Sequence, residues 1–150
     1  MQRRAPDDEH SFFEYSATLR IHGADLPFEE IANTLGVSAT HEHRAGARSR
    51  PSRPPYRDDA RQFTAPLPEE AELTEHLRHL WNVVEPHVGY LTALDATVDV
   101  FCGYRSNNGA AGFAVEPDAL QIFTALGVPF YVSVIVDSWL GEIVSEPTKH

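Results

Sequence analysis

Ala17, Leu19 and Ile21 alternate with Thr18, Arg20 and His22, a period of two that predicts a strand with one covered face, starting near Tyr15 and ending at Gly23. The period then lengthens. Phe28, Ile31 and Leu35 fall on one helical face, with Pro27 suited to a first turn whose N–H groups have no intrahelical partner. Glu29 and Glu30 favour the positive end of that helix dipole, and Gly36 is a natural stop. The clearest amphipathic helix carries Leu73, Leu77, Leu80, Trp81 and Val84, opened by Glu69, Glu70 and Glu72. On it His76 and His79 fall beside the apolar stripe and read as residues at the solvent edge. Pro86 and Gly89 bend or break this helix before a short turn with Leu91 and Leu94.

A second strand is predicted where Val98, Val100, Cys102 and Tyr104 share a face, and apolar positions on both faces near Phe101 make it a central one. The polar run Arg105 to Gly109 turns the chain into GFAVE, a brief strand at residues 112–116. Pro117 and Asp118 start a helix bearing Ile122, Phe123 and Leu126, stopped by Gly127. Residues 130–136, FYVSVIV, are dense in β-branched and aromatic types and predict the most buried strand. Residues 41–61 differ from all of this, with three prolines, six arginines and almost no aliphatic side chains. They read as a long loop, followed by a short strand around Arg61 to Ala65.

Leu35-Gly36-Val37 and Leu126-Gly127-Val128 close the first and last helices, and Ile31 and Ile122 sit at the same offset. Each half then reads strand, loop, helix, strand, with the long helix between them. Right-handed crossovers would place the loop after the first strand and the loop after Tyr104 at one end of a sheet. The expected fold class is α+β: a single-domain sandwich of a mixed β-sheet with helices mainly on one face, built as two ferredoxin-like β-α-β halves. Residues 1–11 read as a loose arm, 12–138 as the domain and 139–150 as a tail with apolar residues around Trp139.

Composition narrows the class. With 150 residues, 42% hydrophobic and 23% charged, the chain is of ordinary globular make-up, which excludes collagen-like, coiled-coil and wholly disordered readings. No window approaches the ~18 apolar residues needed to cross a bilayer. Arg3 and Arg4 are followed by acids, so no secretory or twin-arginine signal is expected and the cytoplasm is the default. The charge is less ordinary: 22 acids against 12 bases give −10. Residues 41–61 hold six arginines and three acids, a local +3, which leaves −13 on the rest. The body should repel nucleic acid and anionic membranes, and the loop is read as solvated and paired with the protein's own acids.

Candidate chemistry is sparse. Cys102 shares parity with Val98 and Val100 and reads as an inert core thiol. His41 and His43 make an H-x-H, and Glu75 and His79 lie one helical turn apart, but no set of three or four metal ligands forms at a known spacing. No catalytic residue and no cofactor is assigned. Asn108-Gly109 signals a tight turn in which both residues tolerate positive φ. The loop around it offers amides, backbone N–H groups and a guanidinium to a small polar or anionic ligand. The candidate ligand-binding set is His43, Arg44, Tyr104, Arg105, Asn107, Asn108 and Gly109, converging with Gly23 to Asp25 at one sheet end.

The strand with Leu19, Ile21 and Gly23, the helix ending Leu35-Gly36-Val37, the loop residues His43, Arg44 and Gly46, and above all FCGYRSNNGAAGF before a helix and a final apolar strand resemble the bacterial domain-of-unknown-function family 4279. The resemblance covers roughly residues 15–136; where the family has a tryptophan before the long helix, this chain has Phe63. It implies a small cytosolic bacterial domain and brings no established activity. The functional expectation is a non-catalytic binding or interaction domain, of immunity or antitoxin type, with a basic protein partner. The alternative is a small-ligand-binding domain or enzyme using the loops at one sheet end.

Overall fold

The alternating run forms β1 (Phe13–Gly23), whose Tyr15, Ala17, Leu19 and Ile21 are buried on one face. In the computed structural model, which describes residues 11–137, β1 is the middle strand of five. It pairs antiparallel with β3 (Asp59–Thr64) through Leu19↔Phe63 and Ile21↔Arg61. On its other side it pairs antiparallel with β4 (Thr97–Ser106) through Tyr15↔Tyr104, Ala17↔Cys102 and Leu19↔Val100. β2 (His41–His43) lies antiparallel outside β3, and β5 (Val132–Val136) lies parallel outside β4, giving the order β2-β3-β1-β4-β5.

Two split β-α-β units interlock in this order. α1 (Phe28–Leu35) links β1 to β2, which run the same way with β3 between them. α2 (Leu73–Val84) links β3 to β4 around β1 in the same manner. That is the ferredoxin-like β-α-β-β-α-β arrangement. A 3₁₀ turn at Glu85–His87 and α3 (Val88–Ala93) complete the bend imposed at Pro86. α4 (Gln121–Leu126), preceded by a 3₁₀ turn at Pro117–Leu120, then carries the chain to β5 as an addition to that core. The ferredoxin-like halves are therefore real but differently composed, because the long helix belongs to the second half instead of separating two repeats.

The repeated Leu-Gly-Val marks two equivalent helix stops. Gly36 (φ 72°) and Gly127 (φ 71°) are left-handed, and their N–H groups donate to Ala32 O and Thr124 O. However, β1 and β4 are antiparallel neighbours, so the loops that follow them leave opposite ends of the sheet. The common sheet end expected from the repeat does not exist.

Leu73, Leu77, Leu80 and Val84 of α2 are fully buried, packed with Ile31, Leu35, Leu91, Ile122 and Phe123 over the odd-numbered face of β1. His76 belongs to this inner surface too: it is 1% exposed, not at the solvent edge, while His79 is half-buried near the Phe63 ring. The opposite sheet face is partly open, with Ser16, Arg20, Phe101 and Gly103 half-buried.

Three further expectations change. Residues 112–116 form no strand, although Phe113 and Val115 pack on the core. The 41–61 segment is a hairpin, because β2 and β3 pair and the ladder continues through Gly46 N–H to Tyr56 O and Tyr56 N–H to Ala47 O. β5 is the edge strand, and Val134, Ile135 and Val136 are exposed at 55%, 52% and 46%. Its β-branched residues suit an extended backbone, but no described element lies beyond it to cover them. The arm at residues 1–10 and the tail from 138 onward lie outside the described residues. Among the described residues no helix is long and apolar enough to cross a membrane.

Candidate functional site

The candidate ligand-binding residues divide between the two ends of the sheet. His43 and Arg44 sit where β1 stops, since His43 pairs with Ala60 and Asp59 pairs with Gly23. Tyr104, Arg105, Asn107, Asn108 and Gly109 sit where β1 starts, since Ser106 pairs with Phe13. Eleven residues of β1 separate them, about 33 Å at strand rise. They form no single cleft.

At the His43 end the organising group is Asp59, whose side chain is 6% exposed. Its carboxylate accepts from Ala45 N–H (2.7 Å), Leu26 N–H (3.0 Å) and the Arg44 guanidinium (2.6 Å). The Ala45 N–H, with help from Arg44 and Leu26, holds the carboxyl below its usual range against the opposing cost of burial. Arg44 also donates to Leu26 O (2.8 Å) and lies 3.8 Å above the Phe28 ring. The guanidinium expected to meet a ligand thus clamps the β1–α1 and β2–β3 connections together. His43 stacks flat on Tyr56, centroids 3.5 Å apart, and meets His41 through a 2.9 Å Nδ1···Nε2 contact. Burial, then the neighbouring His41, pushes the His43 imidazole down. In the sequence Asp59 is one of two adjacent acids in a polar stretch, a pattern that carries no signal of burial.

At the other end Tyr104 points into the fold and stacks on Tyr15 (5.2 Å), with Phe113 at 5.1 Å, its hydroxyl buried and without a hydrogen-bond partner. Arg105 lies on the open face and pairs with Asp137 (Nη2···Oδ2 2.5 Å), with Glu14 at 3.7 Å. Asn107 Oδ1 accepts from Phe12 N–H (3.1 Å). The Asn108-Gly109 turn is real but of another kind than expected. Neither residue has positive φ; Asn108 Oδ1 instead accepts from Ala110 N–H (2.9 Å), and Asn108 N–H donates to Ser106 Oγ (3.0 Å). These amides are used to hold the loop onto the start of β1.

The arginines sort into two groups. Arg20 holds Asp99 through two hydrogen bonds (2.8 and 3.0 Å), and Arg78 holds Glu75 and Asp118. The buried Arg61 pairs with Glu42 and donates to Val37 O. Together with Arg44 and Arg105, each of these has a carboxylate partner. Arg48, Arg50, Arg53 and Arg57 are exposed and have none among the described residues. The expectation that the loop pairs with the protein's own acids therefore holds only for its two ends.

Two features bear on chemistry directly. Cys102 is fully buried and burial pushes its thiol up to about 12, so it is no nucleophile near neutral pH. No group of three or more metal-ligating side chains forms among the described residues. The apolar surface that stands out is at β5, where Phe130 (43% exposed) and Tyr131 (55%) continue the exposed run of the strand.

Residues 13–137 match the model of a domain family described as "Domain of unknown function (DUF4279)". No curated protein matches the chain, and no solved structure does.

Proposed function

The chain belongs to the DUF4279 family, and we propose that its domain is a non-catalytic binding module that recruits a protein partner at the β5 edge of its sheet. The carrying observation is the exposed apolar run of Val134, Ile135 and Val136 on the edge strand β5 and of Phe130 and Tyr131 just before it. An edge of this kind offers unpaired backbone groups for main-chain pairing and side chains on both faces for selectivity. The partner adds one strand antiparallel or parallel to β5. The acid excess of the chain, 22 against 12, speeds encounter with a basic protein, as an immunity or antitoxin-like protein of the bacterial cytoplasm would require.

The test uses the full chain as bait in host lysate, beside a Val134→Lys/Ile135→Lys variant whose edge lysines oppose strand addition. A basic protein retained by the wild type and lost with the variant supports the reading; equal retention by both, or none by either, counts against it.

The small-ligand alternative rests on a shallow groove of about 230 Å³ on the open face, lined by Glu14, Ser16, Phe101, Gly103, Arg105 and Ser133. The one guanidinium in its lining is already paired with Asp137, so the groove offers an anionic ligand no free cation.

A further inference from the structure

We propose that the tip of the β2–β3 hairpin docks an acidic peptide segment of a partner protein through Arg50, Arg53 and Arg57. Residues 44–57 contain five arginines and no acid, so this is a concentrated positive patch on an otherwise acidic chain. Arg44 is neutralised by Asp59. The other four have no carboxylate among the described residues, although every arginine elsewhere in them has one. A guanidinium fork matches a carboxylate in geometry as well as charge, so these are the donors left over for a ligand.

The tip is already ordered. Gly46 N–H and Tyr56 N–H close its base, and Arg53 N–H donates to Arg50 O (3.0 Å) in the turn. Arg48 reaches across the turn to the carbonyl of Arg53 (3.0 Å), while Pro51, Pro54 and Pro55 restrict the backbone. Less freedom is then lost when Arg50, Arg53 and Arg57 engage a partner.

An acidic peptide fits better than nucleic acid for two reasons. Tyr56, the aromatic residue of the loop, is already stacked on His43 and offers no platform for a base. A polynucleotide would also carry its phosphates onward along an acidic body, whereas a short acidic segment ends within the tip, and salt screens the rest beyond about 8 Å.

Fluorescence anisotropy on the full chain tests this with two labelled probes, a glutamate-rich decapeptide and an oligothymidylate decamer. The peptide is expected to bind at low salt and to weaken about tenfold in the Arg50→Gln/Arg53→Gln/Arg57→Gln variant, with thermal stability unchanged because these side chains are exposed. Absence of peptide binding to the wild type, undiminished binding to the variant, or tighter binding of the oligothymidylate overturns the proposal. None of these outcomes depends on β5.

Discussion

His76 shows how much one buried polar side chain can govern. The residue is 1% exposed, and burial pushes the imidazole below its ordinary 6.5, against weaker opposing hydrogen-bonding effects from the Ala71 and Pro68 backbone. The folded chain therefore binds fewer protons than the unfolded one as the pH falls below 6.5. The contribution of the neutral imidazole to stability is complete above that value and declines as the pH falls toward the folded-state value. His76→Leu should flatten this decline and raise stability at about pH 5.5, read as the change in urea midpoint between about pH 7.5 and about pH 5.5. An equal decline in wild type and variant would place the acid sensitivity elsewhere. A separate residue-scale expectation concerns the cap of α4: Gly127 has φ 71°, so Gly127→Ala should cost about 1 kcal/mol in chemical denaturation, mostly from left-handed strain.

At the scale of elements, the strands and helices were legible wherever one periodicity ran for several residues. Ala17-Leu19-Ile21 and the Leu73 to Val84 stripe need no tertiary information, because a single buried face is written into their spacing. The β5 run FYVSVIV was legible as a strand but not as an edge, since β-branched residues report extended backbone equally well under cover or beside solvent. The hairpin of residues 44–57 was hidden for a different reason: a buried acid and backbone pairs hold it, and neither leaves an apolar pattern. Asp59→Ala should therefore lower the melting temperature more than Asp58→Ala does and speed hydrogen exchange at Ala45. Because the Asp59 carboxyl is held below its ordinary 3.8, its contribution is present above that pH and lost as the pH falls through the folded value. Equal effects of the two substitutions would remove Asp59 from its organising role.

For the whole molecule, the α+β class and the helices on one sheet face followed from the pattern, but the gathering of the candidate site did not. It depended on the relative direction of β1 and β4, which no local spacing encodes; their antiparallel pairing sends His43 and Arg44 to one end and Asn107 to Gly109 to the other. The result is a sheet with two different surfaces far apart, an apolar edge at β5 and a basic hairpin beyond β2 and β3. Amide hydrogen exchange of the full chain, free and with the captured partner, tests the proposed addition of a partner strand to β5 most directly. Slowed exchange at Val132 to Val136 in the complex, with the outer edge at β2 unchanged, is the predicted result. Exchange at those amides that stays the same on partner binding would contradict it.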